Sequence, residues 1–464
     1  MAFPFVGPSY ALDFRKADVQ RSVNLYLDVV ESRTGKAPAV LQSIPGYSVL
    51  ATPGSAVRGI HEVNGRCFVV AGSTLYEINS SGTCTSLGTL STSSGPVSME
   101  HGLFQLVIVD GPYGYVMTLA SNAFQKIASS AFYGSKRVGF LNGYFIFVRP
   151  DTQQFYWSAI DNATSFDALD FASAESTPDN LSTVLIDHRD VMLFGAQSTE
   201  GWRDTGSTAV FERNEGAIME VGCAAVFSAQ KIDSTFIWVG NDKNGQGQVW
   251  MADGYRPRRI STISIETMLQ KSTDLSAAVA YTYQQFGHSF YCLNAPGLET
   301  TLCFDINTQT WHDRAELVNG EYVSIRGTCH AYCFGKHLIG ADDGKVYWLD
   351  KDKNTLNGDV LVRDRISPHD AAPNLGWKVF SRFLLDCIVG KGKPDGSAPS
   401  VQMRYSNDGG HTWSQWKTES LGAIGEYANR VVFRRLGRSR DRVWHVRCTD
   451  DTPFSIVTAV PEEG

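Results

Sequence analysis

Short apolar stretches recur along the chain, each followed by a turn rich in Gly, Asn or Asp and a second apolar stretch rich in aromatic residues. Residues 63–78 are the first clear example, because Asn64-Gly65 is a strong hairpin signal between β-prone runs. Later units begin near positions 104, 137, 190, 236, 289 and 337. This spacing of roughly 35 to 50 residues is typical of four-stranded propeller blades. The pattern therefore predicts an all-β fold with a β-propeller of six or seven blades, since a single blade cannot bury both of its faces.

The two flanks of the repeating region have different patterns. Residues 1–50 contain a single strand-like stretch amid polar and Pro-containing sequence, which predicts an N-terminal arm or small added domain. Residues 51–366 form the predicted propeller. After a linker near 367–374, residues 376–464 carry longer alternating strands, which predict a C-terminal antiparallel β-sandwich.

Two local features lie inside the predicted propeller. Residues 304–311 look like the outer hairpin of a kelch-type blade, in which Asp305 starts the turn and Trp311 packs between blades. Convincing amphipathic helices are nearly absent, and residues 265–278 are the best short candidate.

Composition and charge exclude several classes of protein. Hydrophobic residues make up 43% and charged residues 19% of the 464, which is ordinary for a globular protein and excludes wholesale disorder. The net charge of −7 argues against a general nucleic-acid binder, because such proteins carry clustered Lys and Arg. No apolar run reaches about 20 residues and the N-terminus lacks a signal-peptide pattern, so we expect no membrane span and synthesis in a cytoplasm.

The nine cysteines do not form a disulfide or metal motif. Their odd number and wide spacing disfavour a secreted disulfide framework. Cys329 and Cys333 point the same way on an extended strand, and no second ligand cluster is visible, so we interpret them as small buried hydrophobes. The sequence therefore predicts no metal site and no cofactor.

The sharpest motif resembles the Asp-box hairpin of sialidase propellers, and it consists of Ser406, Asp408, Gly410, Thr412 and Trp413. Its role is structural: the Asp caps backbone amides, the glycines adopt positive φ, and the Trp packs underneath. Only one such box occurs, and no spacing singles out the three arginines, Tyr and Glu that a sialidase would need.

Other catalytic signatures are missing from the sequence. The chain contains no nucleophile elbow, phosphate-binding loop or zinc-protease motif. His101, His288, His312 and His330 are scattered through the strand clusters, and we interpret each as a hydrogen-bonded blade residue. We therefore predict no catalytic residues and no enzyme.

Arginines crowd the C-terminal region, at positions Arg434, Arg435, Arg438, Arg440, Arg442 and Arg447. One interpretation is a set of solvated strand faces with carboxylate partners. The other is a docking patch, built from the first five, for an acidic partner subunit. A DNA patch fits less well, because the aromatic interleaving of single-strand binders is weak here.

Short landmarks in a fixed order also resemble a known family, the packaged-DNA stabilisation proteins of short-tailed bacteriophages. They are Ala17-Asp18, Val23-Asn24-Leu25, Ser43-Ile44-Pro45-Gly46, Val57-Arg58-Gly59, residues 72–76, residues 97–102, residues 174–179, residues 260–266 and residues 434–440. The stretches between the landmarks depart from the family, so partner-contacting loops cannot be carried over.

The resemblance implies a non-enzymatic virion protein of the phage tail, assembled in the host cytoplasm. It implies a homo-oligomeric, hexameric ring that closes the portal-adaptor channel, retains packaged double-stranded DNA without sequence-specific binding, and docks fibre, spike, needle or tip proteins. An acidic channel lining would let DNA slide, and the C-terminal sandwich and N-terminal arm are our predicted contacts with other subunits and the adaptor. The alternative is a carbohydrate-binding or sialidase-like propeller that engages the host surface.

Overall fold

The structure is a computed structural model that describes residues 3–32, 34–207, 209–241, 245, 247–372 and 374–464. Strands make up 52% of the chain and helix 3%, so the prediction of an all-β fold is confirmed. The first strands lie in the region predicted as an arm. They are β1 (Tyr10–Ala11), β2 (Val19–Val23), β3 (Leu25–Val29), β4 (Ala39–Ser43) and β5 (Gly46–Ala51).

The next strands form antiparallel sheets of four that follow one another along the chain. The first two sheets contain β6 (Val57–Val63), β7 (Arg66–Ala71), β8 (Thr74–Ile78), β9 (Cys84–Thr89), β10 (Ser98–His101), β11 (Gln105–Val109), β12 (Gly114–Thr118) and β13 (Phe124–Lys126). The third and fourth contain β14 (Val138–Leu141), β15 (Tyr144–Val148), β16 (Gln154–Trp157), β17 (Phe171–Ser173), β18 (Leu181–Asp187), β19 (Asp190–Gly195), β20 (Thr199–Asp204) and β21 (Phe211–Met219).

Three further sheets complete the series. Their strands are β22 (Gln230–Ile232), β23 (Thr235–Asn241), β24 (Gly247–Asp253), β25 (Arg256–Arg259), β26 (Val279–Gln285), β27 (His288–Asn294), β28 (Thr301–Asp305), β29 (Thr310–Val318), β30 (Glu321–Ser324), β31 (Gly327–Cys333), β32 (Lys336–Ala341), β33 (Val346–Asp350), β34 (Thr355–Leu356) and β35 (Asp359–Val360). The helix α1 (Ile263–Leu269) begins two residues before the predicted helical stretch 265–278 and overlaps its start, and a 3-10 turn at Leu275–Ala277 lies within that stretch.

The sheets form a closed ring of seven blades within the described part of the chain. The first strand of each blade is innermost, so β6 contacts β10 on one side and β31 on the other. Strand β5 is the fourth strand of the seventh blade, because it pairs with β33. Residues 46–51, at the end of the stretch predicted as an arm, therefore lie in the propeller.

Local sequence signals explain the blades. Asn64 and Gly65 have φ of 52° and 80°, the left-handed conformations that a two-residue hairpin turn requires. Apolar residues from facing blades interlock, as where Phe68 and Leu106 share one buried cluster between the first two blades. Trp311 is buried between the fifth and sixth blades and its indole N–H donates to the carbonyl of Ile260 at 2.8 Å, as the kelch-like hairpin predicts.

The remaining strands form a two-layered sandwich, the fold predicted for residues 376–464. Its first two strands, however, lie in the stretches predicted as the end of the propeller and the linker, because both pair with the sandwich strand Asp441–Cys448. They are β36 (Arg363–Ile366), β37 (Asp370–Ala371), β38 (Lys378–Cys387), β39 (Ser400–Ser406), β40 (Lys417–Ser420), β41 (Val431–Arg434), β42 (Arg438–Ser439), β43 (Asp441–Cys448) and β44 (Ser455–Glu463). One layer has the order β2-β36-β43-β39-β40 and the other has the order β3-β4-β44-β38-β41. The core between them contains Phe383 and Trp444, whose ring centroids lie 4.7 Å apart.

The predicted arm joins the propeller to the sandwich. Strand β2 bridges to β29 of the sixth blade and pairs with β36 of the sandwich, which makes one sheet continuous between the two domains. Asn24, between β2 and β3, is buried with φ of 55°. Its amide Nδ2 donates to the carbonyls of Ala315 and Val362, both at 2.7 Å. The arm is thus built into both cores.

Candidate docking surface

An exposed apolar and basic surface lies where the sandwich strands β38 and β42 begin. Leu375, Trp377 and Val379 are 70%, 57% and 49% exposed, which is high for side chains of their size. Arg438 and Arg440 lie beside them, because Val379 pairs with Arg438 across the two strands. We call these five residues the Trp377 patch.

Strand alternation explains why the patch faces solvent. Phe380 of β38 is buried in the sandwich core, so its neighbours Val379 and Ser381 point outward. The loop before β42 turns sharply at Gly437, which has φ of 69°. This turn lays the backbone of Arg438 and Ser439 alongside the start of β38.

The two arginines of the patch stack on its tryptophan. The guanidinium carbons of Arg438 and Arg440 lie 4.7 Å and 5.2 Å from the centre of the Trp377 ring. Each contact at an exposed site is worth about 0.5–1 kcal/mol. The stacking holds two positive charges over an apolar base, which suits an acidic partner surface.

Four of the five predicted docking arginines are exposed: Arg434, Arg435, Arg438 and Arg440. In the described part of the chain, the neighbouring Arg382 pairs with Glu462, whereas none of these four has a carboxylate oxygen within 4.0 Å. Their charges are therefore free to meet a partner.

Arg442, the fifth predicted docking residue, lies inside the sandwich and is 1% exposed. Its Nε donates to Asn407 Oδ1 at 2.9 Å, and its Nη1 donates to the carbonyl of Leu436 at 2.8 Å. The guanidinium also lies 4.1 Å from the centre of the Tyr405 ring, and burial lowers the pKa of Arg442 to about 10. It therefore braces the hairpin and the loop before β42 and is not part of the exposed surface.

The Asp-box hairpin occurs between β39 and β40, in the sandwich and not in a blade. The Asp408 carboxylate accepts hydrogen bonds from the backbone N–H of His411 at 3.0 Å and of Thr412 at 2.9 Å. The N–H of Gly410 donates to Ser406 Oγ at 2.7 Å. Desolvation acts to raise the pKa of Asp408, but the hydrogen bonds from Thr412 and Ser406 hold it well below its usual range. The motif is a folded turn, and its Trp413 packs against a buried histidine.

That histidine, His445, belongs to a buried charged cluster beneath the hairpin. The ring of Trp413 lies 5.3 Å from the ring of His445. Arg447, the sixth arginine of the crowded stretch, donates to both oxygens of Asp364, at 2.8 Å and 2.6 Å. Burial acts to raise the pKa of Asp364, but His445 and Arg447 hold it well below its usual range. These charged groups therefore lie inside the sandwich, beneath the hairpin.

The four scattered histidines lie in blade strands and make hydrogen bonds. His101 lies 2.8 Å from His61, measured from Nδ1 to Nε2, and His330 lies 3.1 Å from His337. His288 bonds Asp305 at 2.7 Å, and His312 Nε2 accepts from Arg314. The His61–His101 pair escaped the sequence analysis because its two rings come from different blades.

Arg438 and Arg440 of the Trp377 patch were predicted from the sequence, whereas its apolar residues were not, although Trp377 stands beside the predicted linker, where a large aromatic residue is unusual. No helix among the described residues is long and apolar enough to cross a membrane. A seven-bladed propeller joined to a sandwich through one continuous sheet defines the class of the molecule: a two-domain β-propeller protein.

Two family models match the chain. The model described as bacteriophage P22 Gp10, beta-propeller, matches residues 12–354, and the model described as bacteriophage P22 Gp10, beta-sandwich, matches residues 372–460. The chain therefore belongs to the bacteriophage P22 Gp10 family, the tail hub family of short-tailed phages, as the sequence landmarks predict. It is a phage virion structural protein, and membership of a structural family supports a non-enzymatic role.

Other comparisons add little. A search of curated proteins found no match. Solved structures with a similar arrangement include the computationally designed Ika8 protein, at 15% identity, TM-score 0.39, 71% of this chain and 96% of that one. The WD40 propeller domain of Doa1 matches at 11% identity, TM-score 0.41, 65% and 96%. PorZ of the Porphyromonas gingivalis type-IX secretion system matches at 10% identity, TM-score 0.42, 81% and 46%. Similarities this weak bear on neither fold nor function.

Proposed function

We propose that the protein is one subunit of a closed, hexameric ring that forms the tail nozzle of a short-tailed phage. The ring closes the portal-adaptor channel, retains the packaged DNA and lets it pass on ejection. The observation that carries this proposal is the match of both Gp10 family models, which together account for the propeller and the sandwich. Assembly takes place in the host cytoplasm, and the adaptor above and fibre, spike, needle or tip proteins below are the expected partners.

The Trp377 patch supports a ring made by head-to-tail contacts. A closed ring needs two different surfaces on each subunit, one for each neighbour. Trp and Arg are the residues that most often dominate the binding energy of protein interfaces. The patch carries unpaired positive charge on a chain whose net charge is −7, so an acidic face of the next subunit is a complementary partner. We assign the patch to the subunit interface.

The acidic balance of the chain also suits a DNA conduit. A channel wall with negative charge would repel phosphates, so the genome would be held by a constriction or plug and would not adhere. This part of the proposal predicts that the residues lining the channel of the assembled ring are mostly acidic or neutral. A mostly basic lining would contradict it.

The test is the mass of the purified full-length protein, measured by mass photometry and negative-stain imaging with and without the portal adaptor. We expect a hexameric ring, alone or on the adaptor. A protein that stays monomeric in both conditions would refute the proposal, and glycan arrays would then test the alternative of a carbohydrate-binding propeller.

A pair of variants tests the patch separately. Trp377→Ser should weaken ring formation by about 30-fold or more, as expected for a central interface residue worth about 2 kcal/mol or more. Tyr427→Ser is the matched control, because Tyr427 is 67% exposed on the same sandwich. Tyr427 precedes Val431, which pairs with Leu385 near the far end of β38, whereas the patch lies at the start of that strand. If both variants form rings equally well, the patch is not part of the subunit interface. The existence of the ring is tested separately by the mass measurement.

A further inference from the structure

A cluster of three ligand-type side chains lies on the inner wall of the propeller, away from the docking surface. His61 belongs to β6 of the first blade, and Glu100 and His101 belong to β10 of the second. One ligand atom from each of the three lies within 4.8 Å of the others. The two strands are neighbours around the axis, so the cluster spans the junction between two blades.

The ring nitrogens are already close to the distances of a metal site. His61 Nε2 and His101 Nδ1 lie 2.8 Å apart, joined by one hydrogen bond. In a tetrahedral zinc site with Zn–N bonds of 2.0–2.1 Å, the two nitrogens would be about 3.3 Å apart. The two nitrogens therefore need to separate by about half an ångström, and the rings need to turn so that both nitrogens face one ion. The proton that the two rings share would move to the other nitrogen of its imidazole.

The surroundings of the cluster leave room for a ligand. His61 and His101 belong to the innermost strands of adjacent blades, where they are partly buried. His61 and Glu100 face a cavity of about 240 Å³ that also touches Arg137 and His330. The Arg137 guanidinium donates to the carbonyl of Ala229, which anchors it on the fifth blade. The cavity would supply the open coordination position.

We propose that His61, Glu100 and His101 bind one divalent transition-metal ion of the zinc class, and that the ion cross-links the first and second blades. Two imidazoles and one carboxylate form a donor set that zinc accepts in proteins, with water in the fourth position. The ion also supplies the positive charge that a desolvated carboxylate needs in order to remain ionised.

The experiment uses the full-length protein, stripped with EDTA and titrated with ZnCl2 alone by isothermal calorimetry, with Co2+ as a spectroscopic probe. We expect one ion per chain at micromolar or tighter affinity, a rise in Tm, and a Co2+ spectrum without thiolate charge-transfer bands. The last readout matters because the chain has nine free cysteines that could bind zinc elsewhere. Absence of tight binding, or a thiolate spectrum, would overturn the proposal without any variant.

Variants locate the ion. His101→Gln and Glu100→Gln should each weaken Zn2+ binding by about 30-fold or more. His337→Gln is the matched control, because the His330–His337 pair resembles the proposed site but has no third ligand among the described residues. It should bind Zn2+ as the parent does. Binding that is unchanged in His101→Gln, or lost equally in the control, would contradict the assignment. Circular dichroism in EDTA establishes that each variant is folded.

Discussion

Asn24 is the residue whose replacement should most clearly uncouple the propeller from the sandwich. Its side chain makes three hydrogen bonds: Nδ2 donates to the carbonyls of Ala315 and Val362, and Oδ1 accepts from the N–H of Ala315 at 3.0 Å. Ala315 lies in the sixth blade, and Val362 precedes the first strand of the sandwich. Asn24→Ala removes all three bonds and leaves buried backbone groups unpaired.

The expected loss is large. A typical hydrogen bond contributes about 0.5–1.5 kcal/mol net, and each buried group left unsatisfied costs about 1–3 kcal/mol. Three buried backbone groups left unsatisfied give a loss of about 3–9 kcal/mol for Asn24→Ala. The residue also has φ of 55°, where alanine adds about 1 kcal/mol of backbone strain that glycine avoids. Asn24→Gly should therefore be the milder variant by about 1 kcal/mol, the reverse of the usual order for these two residues.

The assay is guanidinium unfolding followed by tryptophan fluorescence and far-UV circular dichroism, combined with hydrogen exchange. The parent should unfold with the two domains coupled. Asn24→Ala should lower the first midpoint and separate the two probes, with faster exchange in β2 and β36. The reasoning fails if Asn24→Ala lies within about 1 kcal/mol of the parent, or if Asn24→Gly is the less stable of the two.

Three further predictions concern a turn, a titrating group and a close backbone approach. Asp408→Ala should destabilise the sandwich by about 1–3 kcal/mol, because several backbone amides lose a charged acceptor, and thermal unfolding of the variant checks this. Burial raises the pKa of Glu100 to about 7, so in metal-free protein the Glu100 carboxyl should by itself contribute a loss of stability as pH rises from about 4.5 to about 7. In EDTA, Glu100→Gln should remove up to about 3 kcal/mol of that loss, and parallel pH profiles for parent and variant would contradict it. Gly46→Ala should cost about 1–3 kcal/mol, because the new Cβ would lie 2.4 Å from the carbonyl oxygen of Thr355, whereas Gly216→Ala meets nothing closer than 3.7 Å and should be nearly neutral.

Much of the architecture could be predicted because its signals are local. The hairpin at Asn64-Gly65 and the packing of Trp311 follow from residues a few positions apart. Blade recurrence follows from repeated turn residues and strand-length apolar runs. The seventh blade was harder to count, because its fourth strand, Gly46–Ala51, comes from the far end of the propeller sequence.

The candidate sites could be predicted only in part, because burial and proximity between distant segments leave no local pattern. Arg438 and Arg442 lie four residues apart in one basic run, yet one is exposed and the other is enclosed by aromatic rings. The alternation of apolar and polar residues does not predict which arginine is buried, because β43 lies in the middle of its sheet and both of its faces are covered. His61 and His101 meet only because neighbouring blades pack around an axis.

The closure of the seventh blade by β5 has a consequence for biosynthesis. Strand β5 has to wait for β33, and at roughly 5–20 residues per second the ribosome needs about 15–60 s for the roughly 300 residues between them. Strand β4 waits longer, because it pairs with β44 near the end of the sequence. During that time one edge of each strand has no partner. Pro38 and Pro45 stand immediately before the two strands, and proline has no backbone N–H with which a wrong strand could pair. We therefore expect the nascent N-terminal segment, with its unpaired strands, to be the part of the chain that most needs to be bound by host chaperones.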